Sequence, residues 1–205
     1  MKACLITALL SGLLIATHSS ADPGWDRLRV PGFWEAEYGG TIKSHDGYAW
    51  YRCFVKVPAD WKGDALSLSL GRIDDCDETY FNGHRIGGMG SLKPYRTASG
   101  IDRRYVVAPA RVNYGGYNLI AVRVWDGGGA GGISAGPLLL GGAAGGLVLK
   151  GNWEFRIDDD PSRNGRATRL GPGTAPWRPP SSAAPERPSA KNLIIRRLPE
   201  PALSR

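Results

Sequence analysis

Four acidic residues close together in the middle of the chain are the strongest candidates for chemistry. They are Asp74, Asp75, Asp77 and Glu78. Their carboxylates could accept charge-assisted hydrogen bonds from sugar hydroxyl groups. They could instead supply the oxygen ligands that Ca²⁺ requires, or they could be purely structural, capping turns and pairing with arginines. The sequence leaves these three interpretations open.

The predicted ligand-binding set also includes four residues that come later in the chain. They are Tyr95, Arg103, Arg104 and Asp126. Tyr95 lies in a predicted loop, from which its ring could stack on a sugar face, and either arginine could donate hydrogen bonds or pair with the acids. Asp126 directly precedes the glycine-rich run 127–132, where backbone N–H groups can approach a ligand closely.

The aromatic residues are expected to differ in exposure. Trp34, Trp50, Trp61, Tyr95 and Trp125 could each stack on a sugar face, but most aromatic side chains of a β-sandwich lie in its core, and we expect most of these five to be buried. Trp34 lies in a predicted loop, so we expect it to be exposed together with Tyr95.

Motifs that would indicate catalysis are incomplete. Residues 132–136 match the nucleophile-elbow pattern, but glycines precede them, Pro137 follows, and every histidine comes earlier in the chain. Four acids within five residues do not indicate a pair on opposite sides of a sugar, as glycosidases require. His45 and His84 lack the spacing of zinc ligands. The sequence therefore predicts a non-catalytic protein without a cofactor, and it leaves only a structural calcium ion open.

Alternating hydrophobicity predicts the elements that must position these residues. Residues 48–57, 66–70 and 118–125 have apolar side chains at every second position, which is typical of β-strands. Asn82-Gly83 between two extended runs predicts a hairpin whose entrance carries the acids. Turn signals recur about every 8–12 residues, as in antiparallel sandwiches. We therefore predict an all-β, antiparallel jelly-roll β-sandwich.

The chain divides into three predicted segments. Residues 1–21 combine Lys2, a short apolar run and small residues, which is typical of a secretory signal peptide. Residues 22–160 form the predicted sandwich, and residues 161–205 form a basic, proline-rich tail that is predicted to be mostly disordered. This organisation predicts a secreted or periplasmic protein with no transmembrane segment after signal removal.

The net charge of +7 comes mainly from the predicted tail. Residues 22–155 carry nearly equal numbers of basic and acidic side chains, so nucleic-acid binding is not indicated. Cys53 and Cys76 remain after signal cleavage. An exported protein could join them in a disulfide, but two separate thiols are favoured.

A series of motifs gives the chain a resemblance to a known family. The motifs are Trp50-Tyr51-Arg52, Val55 to Pro58, Leu70 to Asp75, Asp77-Glu78, Tyr80, Asn82-Gly83, Ile86-Gly87, Tyr95, Arg104-Tyr105, Val107 to Pro109, Asn118 to Val124 and Asp126 with its glycines. Over about residues 47–153 the chain resembles the sugar-binding jelly-roll module of glycoside hydrolase family 2 proteins such as β-galactosidases. It is similar in particular to the version inserted in sialate O-acetylesterases.

The resemblance implies a galactose-binding-like sandwich that accompanies a separate catalytic domain and, in some members, holds calcium. A chain of 205 residues leaves no room for that domain, so the family's enzyme activity is not expected here. We predict a secreted, non-catalytic carbohydrate-binding module whose tail could contact a separate hydrolase or an envelope protein. The alternative is a structural or interaction module derived from a larger hydrolase, and a stand-alone hydrolase is least favoured.

Overall fold

The computed structural model describes residues 25–37 and 45–158. The predicted signal peptide and tail lie outside these residues. The described chain contains one short α-helix, α1 (Trp34–Glu37), and no helix long and apolar enough to cross a membrane. Its strands are β1 (Asp26–Val30), β2 (Gly47–Lys56), β3 (Leu66–Asp74), β4 (Cys76–Phe81), β5 (His84–Gly87), β6 (Ser91–Leu92), β7 (Tyr95–Arg96), β8 (Asp102–Val107), β9 (Tyr117–Asp126), β10 (Gly132–Gly142), β11 (Gly145–Val148) and β12 (Gly151–Ile157).

The strands form two antiparallel sheets. The larger sheet has the order β1-β12-β2-β9-β4-β5, and the smaller sheet has the order β11-β10-β3-β8. A separate two-stranded ribbon pairs β6 with β7. One hydrophobic core is shared by residues of both sheets. This arrangement confirms the predicted all-β sandwich of the jelly-roll type.

The core follows the alternation predicted for β2 and β3. Tyr51, Cys53 and Val55 of β2 are buried in the shared core, as are Leu66, Leu68 and Leu70 of β3. Because successive side chains of a strand point to opposite faces, every second residue contributes to this core. Full burial of one large apolar side chain contributes about 1.5–3 kcal/mol, so these rows are a main source of stability.

The turn at Asn82-Gly83 joins β4 to β5, as predicted. Asn82 has φ 46° and Gly83 has φ 79°, so both residues adopt the positive φ that a tight hairpin turn needs. The Asn82 side chain accepts a hydrogen bond from the Leu119 amide at 2.8 Å and donates to the Asn118 side chain. These bonds hold the hairpin against β9 and so fix the position of β4, which begins beside the acids.

The outer face of the larger sheet is also partly buried, which the alternation in β2 does not predict. Trp25, Trp50 and Ala121 form a second apolar cluster on this face. Arg52 lies 4.0 Å from the centroid of the Trp25 ring and pairs with Glu154. Cation–π and ionic contacts therefore allow polar side chains at outward positions to stay buried.

The prediction of a loop around Trp34 is wrong, because the described part of this segment contains β1 and α1. β1 pairs with β12 in register from Asp26 opposite Phe155, so the segment gains a ladder of backbone hydrogen bonds. The expectation that Trp34 is exposed is also wrong. Its side chain is completely buried, with its ring centroid 6.0 Å from that of Phe155.

Two other segments that are not predicted as strands contain strand structure. The predicted loop that carries Tyr95 includes the β6–β7 ribbon, and residues 132–136 belong to β10. Ser134, the serine of the nucleophile-elbow match, donates a hydrogen bond to the Arg72 carbonyl at 3.3 Å. A serine within an antiparallel strand is not the exposed residue of a strand-to-helix turn, so this geometry agrees with rejection of the motif.

Candidate functional site

Three aspartates come together at one end of the sandwich because β3 of the smaller sheet and β9 of the larger sheet both end there. β3 ends at Asp74, which a cis peptide bond joins to Asp75, and Asp75 leads directly into β4. β9 ends at Asp126. The Asp75 amide donates to the Trp125 carbonyl at 2.9 Å. Carboxylate oxygens of the three aspartates all lie within 4.8 Å of one another. We call Asp74, Asp75 and Asp126 the aspartate cluster.

Asp75 has the most hydrogen-bond donors around its carboxylate within the aspartate cluster. Its Oδ1 accepts a bond from the Thr97 hydroxyl, and its Oδ2 accepts one from the Gly127 amide at 3.0 Å. Burial by itself would raise the pKa of Asp75. Hydrogen bonds from Thr97, Gly127 and Tyr95 outweigh burial and lower this pKa. Asp75 is therefore expected to be ionised at neutral pH.

Asp74 is partly exposed and has the opposite shift. Burial, followed by the hydrogen bond and the negative charge of Asp75, raises the pKa of Asp74 to about 6. Two adjacent carboxyl groups do not both ionise readily, so such a pair keeps one proton to a higher pH than separate aspartates would. Of the two groups, Asp74 is the one whose pKa is raised and which therefore keeps its proton to the higher pH.

Asp126 combines deep burial with a lack of partners. It is 1% exposed, yet neither of its carboxylate oxygens has a hydrogen-bond partner in the described part of the chain. Burial raises the pKa of Asp126 to about 6, with further contributions from the charges of Asp75, Glu35 and Asp74. The nearby Gly128 amide offsets part of this rise, although the two groups do not meet hydrogen-bond geometry. Because buried polar atoms nearly always have partners, Asp126 needs an explanation.

Asp77 lies in the core rather than in the aspartate cluster. Its side chain shares the inward face of β4 with Thr79, because side chains alternate along the strand. It accepts hydrogen bonds from Arg103 Nε at 2.9 Å, from the Tyr105 hydroxyl at 2.8 Å and from the Thr79 hydroxyl at 2.8 Å. This network satisfies the carboxylate completely within the protein, so we assign Asp77 a structural role.

The other predicted polar residues also divide between core and surface. Arg103 is completely buried, and its guanidinium donates to carbonyls of the loop 98–101 and to the Asp75 carbonyl. Arg104 is exposed on the opposite face of β8, and Glu78 lies on the outward face of β4. Arg103 therefore supports the loop beside the aspartate cluster, while Arg104 and Glu78 point to other surfaces.

Tyr95 is the exposed aromatic residue beside the aspartate cluster, as expected from the sequence. Its side chain is 53% exposed, and its ring packs edge-on against Trp125 with 5.4 Å between ring centroids. The β6–β7 ribbon holds Tyr95 in this position, opposite Leu92. The Tyr95 hydroxyl is close enough to Asp75 for each group to influence the pKa of the other.

Glu35 approaches the same end of the sandwich and is missed by the sequence analysis. It belongs to α1, and its Oε2 accepts a hydrogen bond from the Gly131 amide at 3.1 Å. Its Oε1 is buried without a partner in the described chain. Burial raises the pKa of Glu35, whose charge acts on both Asp74 and Asp126. No motif marks Glu35, because its position depends on how α1 folds across the sheets.

An apolar groove of about 410 Å³ lies elsewhere on the surface. It is lined by Pro31, Gly136, Pro137, Leu138, Leu139, Val148 and Lys150. None of the predicted ligand-binding residues lines it. The groove and the aspartate cluster are therefore separate features.

Comparisons with known proteins find similarity only at the level of solved structures. No protein-family model matches the sequence, and no curated protein matches it. A β-D-glucuronidase from Dictyoglomus thermophilum is similar with a TM-score of 0.39 and 18% identity, over 50% of this chain and 18% of the enzyme. A glycosyl hydrolase family 2 member from Bacteroides cellulosilyticus has a TM-score of 0.45 and 20% identity, over 68% of this chain and 18% of the other.

A Ruminococcus gnavus β-glucuronidase is also similar, with a TM-score of 0.42 and 14% identity, over 64% of this chain and 24% of the enzyme. The chain thus spans less than a quarter of each of these three proteins. These structural neighbours are glycoside hydrolase family 2 proteins, at low identity and partial coverage.

Proposed function

We propose that this domain binds a carbohydrate without cleaving it, at the rim formed by the aspartate cluster and Tyr95. The observation that carries the proposal is the exposed Tyr95 ring, which packs on Trp125 directly beside Asp75. An exposed aromatic ring presents a flat apolar surface to a sugar face, and carboxylates next to it accept hydrogen bonds from sugar hydroxyl groups. The family resemblance of the sequence agrees with this role.

The carboxylates are poorly arranged for glycoside hydrolysis. Asp74 and Asp75 are neighbours in the chain, and Asp126 is only 1% exposed. A retaining or inverting glycosidase needs two carboxyl groups on either side of a sugar, at separations of about 5–9.5 Å. One carboxylate oxygen of each aspartate lies within 4.8 Å of the others, so the three acids form a single group rather than a pair facing each other across a sugar. The arrangement therefore favours binding over catalysis.

The charge of the site favours a neutral sugar. Asp74, Asp75 and Asp126 lie together, and the charge of Glu35 also acts on this region. The guanidinium of Arg103 is already bonded to Asp77 and to backbone carbonyls. A sugar carboxylate would be repelled by these charges unless a cation intervened. Neutral galactosides and similar hexosides with adjacent hydroxyl groups are the proposed ligand class.

A glycan array followed by calorimetric titration tests the proposed function. The mature protein is screened against neutral galactosides and glucosides and against sialosides, in Ca²⁺ and separately in EDTA. We expect saturable binding of a neutral glycan and no hydrolysis of chromogenic galactosides or acetyl esters. Absence of glycan binding in both buffers would contradict the proposal. Turnover that is lost in Asp74→Asn would support the hydrolase alternative instead.

We also propose that the protein functions outside the cytoplasm, on the basis of the secretory pattern in residues 1–21. Expression of the full chain with cell fractionation and N-terminal sequencing tests this point. We expect an exported product that begins near Asp22. Retention of the uncleaved chain in the cytoplasm would contradict it.

A further inference from the structure

The geometry of the aspartate cluster matches the requirements of a cation. Carboxylate oxygens of Asp74, Asp75 and Asp126 lie within 4.8 Å of one another. Oxygens bound to one Ca²⁺ at about 2.3–2.6 Å can be at most about 4.6–5.2 Å apart, when they are on opposite sides of the ion. One ion at the centre of the cluster could therefore contact all three side chains without a large rearrangement.

A cluster of acids alone does not identify a site, but Asp126 provides an independent observation. Asp126 is only 1% exposed. Both of its carboxylate oxygens lack hydrogen-bond partners among the described residues. A buried carboxylate without a partner is strongly destabilising. Its charged neighbours in the cluster are other carboxylates, which increase this cost. A positive charge between Asp126, Asp74 and Asp75 would remove both problems.

Asp75 and Asp74 can both contribute to such a site. Each oxygen of Asp75 accepts one hydrogen bond, from Thr97 or from Gly127, and a carboxylate oxygen has a second lone pair for a cation. Those two bonds also hold the carboxylate in a fixed orientation. Asp74 is partly exposed, so water or a ligand hydroxyl group can approach the ion from its side.

The donor set indicates a hard cation. All three side chains offer oxygen, which Ca²⁺ and Mg²⁺ prefer, whereas zinc sites are built mainly from cysteine and histidine. The thiol of Cys76 is directed to the Arg96 carbonyl, and His45 bonds to the Tyr48 carbonyl. Ca²⁺ accepts irregular sets of six to eight oxygens, and Mg²⁺ demands near-ideal octahedral geometry. Three carboxylates from two strand ends and a connection suit the more tolerant ion.

We propose that Asp74, Asp75 and Asp126 bind one calcium ion at this end of the sandwich. The proposal goes beyond sugar binding and does not depend on it, because cation binding is measured without a sugar. Affinity is expected near that of extracellular calcium modules, with Kd of about 10⁻⁴–10⁻³ M. In the presence of a carbohydrate, its hydroxyl groups would have access to the ion from the Asp74 side.

Calorimetric titration of the EDTA-treated, dialysed mature protein with CaCl₂ tests the proposal, with MgCl₂ as a comparison. We expect one Ca²⁺ per chain and an increase in Tm at 10 mM CaCl₂, because a ligand that binds only the folded state stabilises it. Asp126→Asn and Asp74→Asn should each weaken binding about tenfold or more. Asp102→Asn is the matched control, since Asp102 is exposed on β8 and its ion pair with Arg72 is long, at 3.7 Å.

Loss of binding in the variants must be separated from loss of folding. Asp126→Asn is expected to fold at least as well as wild type in EDTA, which circular dichroism and Tm report directly. The absence of heat and of any Tm change up to 10 mM Ca²⁺ would overturn the proposal. Binding that persists unchanged in folded Asp126→Asn and Asp74→Asn would also overturn it, because the ion would then be elsewhere. Sugar binding that is equal in Ca²⁺ and EDTA would leave the carbohydrate proposal intact.

Discussion

Asp77 and Arg103 form an ion pair that is completely removed from solvent, with 2.9 Å between Asp77 Oδ1 and Arg103 Nε. The pair connects the two sheets, since Asp77 belongs to β4 of the larger sheet and Arg103 to β8 of the smaller one. Tyr105 donates to the same carboxylate at 2.8 Å. These bonds join the sheets directly beneath the aspartate cluster.

Asp77→Ala is expected to destabilise the protein by about 3–5 kcal/mol, because it leaves the buried Arg103 guanidinium without its anionic partner. Asp102→Ala breaks an exposed pair with 3.7 Å between Arg72 and Asp102, so it should change stability by less than about 1 kcal/mol. Urea unfolding followed by tryptophan fluorescence measures both values. Equal, small effects of the two substitutions would show that the buried pair contributes little.

The core position of Asp77 was readable from the sequence, although the four acids first appear as one group. Asp77 has the same parity in β4 as Thr79 and Phe81, and Phe81 is an obvious core residue. Likewise, Arg103 has the parity of Tyr105 in β8. Proximity in the chain groups Asp77 with its neighbours, whereas strand alternation separates them. Alternation is the better guide wherever a strand continues through a polar segment.

The assembly of the aspartate cluster was less accessible to sequence reasoning. Asp126 is about fifty residues from Asp74 in the chain. The two meet only because β9 pairs with β4, so that the end of β9 lies beside the connection from β3 to β4. The alternating runs predict the strands but not their order in the sheets. Glu35 depends on a short helix that carries no periodic signal. Tertiary contacts between distant segments therefore determine the part of the site that the sequence leaves open.

Asp126→Asn is expected to stabilise the metal-free protein at pH 7.5 by roughly 1–3 kcal/mol. Burial raises the pKa of Asp126 to about 6, above its ordinary value of 3.8. Stability associated with the protonated carboxyl is therefore complete below pH 3.8 and is lost as the pH rises through about 6. Asparagine does not ionise, and its amide can donate to the neighbouring carboxylates.

Thermal unfolding in EDTA between pH 4 and 8 measures this effect. The advantage of Asp126→Asn should be largest above pH 6 and should decrease toward pH 4, where the wild-type carboxyl is mostly protonated. The Asp102→Asn variant controls for the removal of one negative charge from the surface. A variant that is less stable than wild type at pH 7.5 in EDTA would contradict the prediction.

Gly131→Ala is expected to destabilise the fold by about 1–3 kcal/mol, because overpacking forces its neighbours to shift. A Cβ atom at residue 131 would lie 2.1 Å from Cζ2 of the fully buried Trp34 ring. At Gly100 a Cβ atom would have no neighbour within 4 Å, so Gly100→Ala is the matched control. Urea unfolding should separate the two variants. Equal stability would show that α1 can move away from the glycine loop at little cost.

The thiols of Cys53 and Cys76 should be unreactive in the folded protein. Both are free and buried, as the interpretation of two separate thiols predicts. Burial, and then the charge of Glu154, raises the pKa of Cys53 to about 12. Only about one molecule in ten thousand would then carry the Cys53 thiolate at pH 8. Ellman's reagent should label neither thiol in native protein and both after denaturation in guanidinium, and rapid native labelling would disprove this.

Tyr95→Ala is expected to weaken carbohydrate binding about tenfold, with a much smaller effect on calcium binding because Tyr95 is not one of the proposed calcium ligands. The ring is 53% exposed and packs edge-on against Trp125, so it can offer one surface to a sugar without disturbing the core. Loss of an aromatic contact of this kind costs about 0.5–1.5 kcal/mol beyond the effect of the buried area, and the two contributions together correspond to about a tenfold change in Kd.

Tyr95→Phe keeps the ring and should retain most of the affinity. Val106→Ala, at a 70% exposed position on the outer face of β8, controls for removal of an exposed apolar side chain. Calorimetric titration with the glycan identified on the array gives each Kd, and wild-type affinity in Tyr95→Ala would mean that the sugar lies on another surface.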